Sequence, residues 1–194
     1  MRGFLQITFG PMFSGKTSNL IHNIHKFLDV NDARGKPKKG MIINSSVDKR
    51  ITKSSVHHLT THCSSNKKIR EDIICLKVMN LGMIAKEMIQ DVDFIAVDEA
   101  QFFTDLKLVE SWLTMGKYVH LSGLIADYNK KPFGDMLKLF PLADDVEQLK
   151  AYCIYCETHE MNAPFTKLHT GKKLESQQYS GGYETYVPVC GKHF

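Results

Sequence analysis

Eight consecutive residues, Gly10-Pro11-Met12-Phe13-Ser14-Gly15-Lys16-Thr17, fit the pattern G-x-x-x-x-G-K-[ST]. That spacing makes a phosphate-binding loop. Small residues let backbone N–H groups curl around phosphate oxygens, and the helix that follows points its positive end at the same anion. Lys16 is placed to reach the terminal phosphates of ATP, and the Thr17 hydroxyl is placed to ligate Mg²⁺. A bare match can be accidental. Here an apolar run precedes the loop and a helical pattern follows it, which is the context this chemistry requires.

A second acidic motif, Val97-Asp98-Glu99-Ala100-Gln101, follows the apolar run Phe94 to Val97. An acid at the carboxyl end of a buried strand is where nucleotide-bound Mg²⁺ finds its aspartate. Asp98 takes that part, which leaves Glu99 to accept a proton from an attacking hydroxyl or water. Asp48-Lys49-Arg50 lies beyond the second strand. An arginine near phosphates stabilises charge during transfer, although most charge clusters of this kind are solvated surface.

The third constellation is Cys153-x-x-Cys156 with Cys190-x-x-His193, the pairs separated by 33 residues. Four soft ligands in two close pairs match a tetrahedral structural Zn²⁺ site, each pair offered from one tight turn. A redox reading of Cys153 and Cys156 needs only one pair and leaves the other unexplained. Cys63 and Cys75 read as packing or loop residues.

These residues need elements to hold them. Phe4 to Phe9 reads as a buried strand, and a helix from about Ser18 places Leu20, Ile21, Ile24, Phe27 and Leu28 on one face. His22 and His25 fall off that face. Asn31 to Gly40 ends the helix, and Met41 to Asn44 is a second strand. Ser45 to Lys68 is polar and reads as a long loop. Ile73 to Met79, Asp93 to Val97 and Lys117 to Leu124 read as strands, with Leu81 to Ile89 and Leu106 to Met115 as helices. The alternation predicts an α/β fold: a P-loop domain with a mostly parallel sheet covered on both faces. After Pro141 the pattern changes to cysteines and two Thr/Tyr/Val-rich segments, Ala163 to His169 and Tyr183 to Val189. The expected division is residues 1–150 as the nucleotide-binding domain and 151–194 as a small metal-tethered domain, too small to fold easily without a staple.

Composition narrows the classes. Of 194 residues, 43% are hydrophobic and 24% charged, an ordinary globular balance. The net charge of +4 suits phosphate handling but is too weak a footprint for nucleic-acid binding. Five cysteines, an odd number, and an N-terminus without a cleavage region argue against a disulfide-bonded secreted protein. No apolar run approaches the roughly 18 residues of a membrane span. The expectation is a cytoplasmic protein without a membrane or nucleic-acid partner.

Taken together, GPMFSGKT (10–17), VDKR (47–50), DEAQFF (98–103), KPFG (131–134), PLAD (141–144), the Cys153/Cys156 pair and SGG followed by Tyr186 and Cys190 resemble the cellular and poxvirus-type thymidine kinases. That resemblance implies a RecA-like domain carrying a zinc-tethered lasso that closes over thymidine, and a homotetramer. It implies Glu99 as the catalytic base for the nucleoside 5′-hydroxyl. Gly10 to Thr17, Asp48, Lys49, Arg50, Asp98 and Gln101 fall on the ATP side. Met12, Phe102, Leu124, Tyr128 and Thr166 are implied to line the thymine pocket. Gln177, Gln178, Tyr179, Ser180 and Gly181 are implied to supply backbone contacts, with Tyr186 touching the nucleoside. Aromatic and aliphatic walls suit a planar base, and a closed lid keeps water from ATP.

The sequence departs from that family in places. The second metal pair is Cys–His where many members have Cys–Cys, Tyr128 stands where Phe is usual, and the stretch from Thr166 to Gly181 is longer than in the vertebrate enzymes. The regulatory tail of the vertebrate cytosolic enzymes is expected to be absent. Three rivals remain beside this reading. A helicase-type ATPase shares Asp98 to Gln101 in outline but needs a second motor domain. A zinc-dependent nucleic-acid-binding module leaves the phosphate loop and Glu99 without work. A kinase for another nucleoside would use the same scaffold.

Overall fold

The computed structural model describes residues 2–47, 58–60, 66–157, 162–169 and 181–194. In chain order its strands are β1 (Phe4–Phe9), β2 (Gly40–Ser45), β3 (His58–Thr60), β4 (Asn66–Lys68), β5 (Ile74–Val78), β6 (Phe94–Val97), β7 (Tyr118–Gly123), β8 (Asp145–Gln148), β9 (Phe165–Leu168) and β10 (Tyr186–Val189). The α-helices are α1 (Lys16–Ala33), α2 (Lys86–Asp91) and α3 (Leu108–Thr114), with 3₁₀ turns at Leu81–Met83, Ala100–Phe102 and Met136–Leu142.

Six strands form one sheet in the order β5-β2-β6-β7-β1-β8. Every pairing in it is parallel. Parallel neighbours require crossovers, and the crossovers cover both faces. α1 lays Leu20, Ile21, Ile24 and Leu28 against Ile42, Phe94 and Ala96. On the other face Val109, Trp112 and Leu113 of α3 pack with Leu5, Ile7, Ile43, Ile95, Val97, Val119 and Leu121. The alternation along β2 and β6 divides their side chains between the two cores, Met41, Ile43, Ile95 and Val97 on one face and Ile42, Phe94 and Ala96 on the other. Each fully buried Leu or Ile contributes about 1.5–3 kcal/mol over its exposed state. Because all six strands run the same way, their carboxyl ends meet at one edge, where open α/β sheets bind ligands.

The α/β class and the parallel sheet are as the residue pattern implies. Details differ. α1 starts at Lys16, directly after the left-handed Gly15. The helix expected over Leu81 to Ile89 is two pieces, because Ile84 and Ala85 are extended between them. The polar stretch 45–68 is not all loop: β3 and β4 pair antiparallel within it. Each has three residues and no apolar alternation, so neither carries a periodic signal.

Beyond residue 150 the chain builds a separate small cluster. β9 and β10 pair antiparallel, Ala151 bridges Ala163, and Ala151, Cys153, Ala163, Val187, Val189 and Cys190 form their own apolar core. Among the described residues no helix is long and apolar enough to cross a membrane.

Candidate active site

The loop between β1 and α1 is shaped by residues with little choice. A Cβ on Gly10 would lie 2.4 Å from the Leu149 carbonyl oxygen and 2.8 Å from Ser14 Oγ, so only glycine fits the crossing. Gly15 has φ +83°, the left-handed region that glycine adopts without penalty. Phe13 takes φ +66° without that licence, and its ring stacks on Tyr183 with centroids 3.5 Å apart. Inside the loop the Pro11 carbonyl accepts hydrogen bonds from Lys16 Nζ (2.7 Å) and Ser14 Oγ (2.9 Å). The ammonium is thereby folded across the cradle where a phosphate would lie.

Two strands away, β6 is followed by Asp98, whose N–H donates to the Ile43 carbonyl of β2. Thr17 Oγ1 donates to Asp98 Oδ2 at 2.9 Å, so the last loop residue and the acid of the second motif meet directly. Hydroxyl and carboxylate oxygens are hard ligands, the donor set Mg²⁺ prefers. Glu99 comes next, 7% exposed, with φ +52° and ψ +42°. A non-glycine residue in that region costs on the order of 1–3 kcal/mol and persists only where its surroundings dictate it. Gln101 Nε2 donates to Glu99 Oε2 at 2.6 Å, and Gln101 Oε1 accepts the Leu124 N–H at 2.9 Å. The Gln101 side chain thus reaches Glu99 and the end of β7.

The residues expected around a base make contacts of their own. Phe102 meets Phe133 edge-on, centroids 5.7 Å apart at 85°. Tyr128 and Tyr186 lie 6.2 Å apart. Thr166, at the start of β9, accepts the Met12 N–H through its Oγ1 at 2.9 Å, which ties the phosphate loop to the small cluster. Leu124 and Thr166 share a cavity of about 120 Å³ with Gly10, Pro11 and Phe165. Gly181 packs against Thr185, where a Cβ would come within 2.6 Å. Asp48, Lys49, Arg50, Gln177, Gln178, Tyr179 and Ser180 lie outside the described residues. Phe133 was not among the pocket residues expected from sequence. It is 6% exposed and faces Phe102, and the KPFG segment was the signal for it.

Cys153, Cys156, Cys190 and His193 bring their ligand atoms within 4.8 Å of one another. His193 Nδ1 lies 3.4, 3.5 and 3.4 Å from the sulfurs of Cys153, Cys156 and Cys190, and Cys156 Sγ lies 3.7 Å from Cys190 Sγ. A tetrahedral Zn²⁺ with ordinary bond lengths spaces S···S about 3.8 Å and S···N about 3.6 Å apart, so the residues fit that ion. Each pair comes from a tight turn, with Cys156 N–H on the Cys153 carbonyl and His193 N–H on the Cys190 carbonyl. Lys167 Nζ on the His193 carbonyl adds a contact to β9. Cys75, by contrast, is a thiol whose pKa burial pushes up, as befits a packing residue.

Comparison with known sequences gives one answer. The family described as "Thymidine kinase" matches residues 3–194. The chain is 32% identical over 197 residues to the thymidine kinase of Fowlpox virus (strain NVSL), covering 99% of this chain and 97% of that one. It is 32% identical over 197 residues to thymidine kinase 1 of Dictyostelium discoideum, covering 97% and 76%. It is 31% identical over 192 residues to the thymidine kinase of Sheeppox virus (strain KS-1), covering 98% and 96%.

Proposed function

The chain belongs to the thymidine kinase family, and from that premise we propose that it transfers the γ-phosphoryl group of ATP to the 5′-hydroxyl of thymidine, with Glu99 as the base. The observation that carries this reading is the junction of the two motifs. Thr17 donates to Asp98, and Glu99 follows immediately in a left-handed turn, its carboxylate accepting a hydrogen bond from Gln101. One acid is committed to the metal side and its neighbour to the acceptor side.

Residues 1–150 hold the nucleotide and residues 151–194 cover the nucleoside. The backbone of Gly10 to Thr17 and Lys16 cradle the phosphates, with Asp48, Lys49 and Arg50 on the same side. Thr17 and Asp98 are the residues to hold Mg²⁺, which neutralises charge on the phosphate oxygens. Met12, Phe102, Leu124, Tyr128, Thr166 and Tyr186 wall the base, and Gln177 to Gly181 contact it through their backbone. Glu99 takes the 5′-hydroxyl proton while the new O–P bond forms, the bond from Pγ to the β–γ bridging oxygen breaks, and ADP leaves. Cys153, Cys156, Cys190 and His193 hold a structural Zn²⁺ that fixes the base of the lasso. The protein is a cytoplasmic homotetramer in this reading, and sedimentation showing a monomer would remove that element.

The test is Glu99→Gln. Turnover falls by roughly 10² to 10⁴, the range of a general base, while ATP still binds and wild-type protein carries one zinc by elemental analysis. Near-normal turnover would take Glu99 out of this role, and a zinc-free wild type would remove the metal assignment.

A further inference from the structure

Between β7 and the 3₁₀ turn at Met136 the chain makes a tight hairpin, and its tip touches a different part of the molecule. Ala126 bridges Pro132 across the hairpin. Asp127 Oδ1 accepts the N–H groups of Asn129 (2.8 Å) and Lys131 (2.9 Å), and backbone bonds join Asp127 with Lys131 and Lys130 with Asp127. Lys130 sits at the tip with φ +61°, one of three non-glycine residues with positive φ among the described residues. The other two, Phe13 and Glu99, both lie in the site already described. The left-handed turn aims the Lys130 ammonium between two rings, 3.6 Å from the centre of Phe194 and 4.2 Å from that of Phe165. The rings meet edge-on, 5.6 Å apart, and so present two π surfaces to one cation.

The three partners belong to three structures. The hairpin carries Tyr128. Phe165 begins β9 and is followed by Thr166, which holds the Met12 N–H of the phosphate loop. Phe194 follows His193 of the Cys/His cluster. Lys130 therefore stands where pocket wall, phosphate-loop tether and metal knuckle converge.

We propose that Lys130 is a positioning residue for the nucleoside pocket, its ammonium clamped by Phe165 and Phe194 so that the hairpin bearing Tyr128 and the strand bearing Thr166 keep one spacing. The proposal rests on the thymidine kinase reading for what the pocket binds, and on the contacts alone for the clamp. Removing the cation loosens the spacing of two walls that grip the nucleoside and leaves the transfer machinery at Lys16, Asp98 and Glu99 in place. The defect belongs in thymidine KM and not in kcat.

The experiment compares wild type, Lys130→Met, Lys130→Arg and Phe194→Leu, with zinc content checked for each. Lys130→Met raises thymidine KM about 2- to 5-fold, the range expected for a surface cation–π contact, and leaves kcat unchanged. Lys130→Arg, which keeps a cation over the rings, restores KM. Phe194→Leu shows the same defect, and the double variant with Lys130→Met is no worse than either single one. Hydrogen exchange is read on the same proteins. The amides of Asn129, Lys131 and Thr166 exchange faster in Lys130→Met. Unchanged KM and unchanged exchange in Lys130→Met would overturn the proposal, as would an Arg variant as impaired as the Met variant. A wild type that does not phosphorylate thymidine would instead sink the reading of the pocket, and exchange would still decide the clamp.

Discussion

An amide side chain has a donor end and an acceptor end, and both ends of Gln101 are occupied. The Leu124 N–H takes the oxygen at 2.9 Å, which leaves only the NH₂ group to face the Glu99 carboxylate, 2.6 Å away. Leu124 follows β7, so the strand fixes the amide and the amide fixes the carboxylate. In its proposed role as base, a Glu99 held at one angle is worth more than the same carboxylate on a freely turning chain. Gln101→Met keeps the length and removes both bonds. Hydrogen bonds to charged groups contribute about 1.5–3 kcal/mol, so kcat falls roughly 10- to 100-fold. A kcat within about twofold of wild type in steady-state assays would show that Glu99 does not depend on this partner.

At the scale of elements, polar groups lie between α1 and the strands β1, β7 and β8. Thr8 Oγ1 meets His120 Nε2 at 2.8 Å, and Asn19, Asn23 and Glu147 join the same layer. His120 is fully buried, and burial lowers its pKa from 6.5 to about 4. Above pH 6.5 the ring is neutral in folded and unfolded chains alike. Below it the unfolded chain takes up a proton that the folded chain does not, so stability is lost as pH falls from 6.5 to about 4. The loss across that window is on the order of 3 kcal/mol. Urea midpoints measured at pH 7 and pH 5 should therefore fall for wild type and fall less for His120→Gln. An equal drop in both proteins would assign the acid sensitivity to other groups.

The elements differ in how far residue pattern alone could foresee them. β1, β2 and β6 are apolar runs between turn signals, and the stripe of α1 is regular, so these were legible. β8 was not. It is an edge strand of four residues, Asp145 to Gln148, mostly exposed, and only its parallel pairing with β1 makes it a strand. The G-x-x-x-x-G-K-T pattern, the Asp98-Glu99 pair and each of the two Cys/His pairs could be picked out because each is a short fixed spacing, although only the fold brings the two pairs together. The reach of Gln101 to Leu124 and of Lys130 to two rings could not, since each joins residues that only the fold brings together.

For the whole molecule, the parallel sheet gathers the carboxyl ends of β1, β6 and β7 on one edge. The phosphate loop, the paired acids and Leu124 are neighbours for that reason. The small cluster reaches the same edge through Thr166 on Met12 and Tyr183 on Phe13. The phosphate loop is thus contacted by a stretch of chain more than 140 residues away in sequence, as the proposed arrangement of nucleotide and nucleoside sites requires. The most direct test of that arrangement is phosphorylation of thymidine, deoxycytidine and deoxyguanosine by the wild-type protein with Mg·ATP, with products identified by chromatography. The structure and its family predict thymidine monophosphate as the dominant product, formed in step with ADP. Hydrolysis of ATP with no nucleoside phosphorylated, or a different nucleoside preferred, would contradict it.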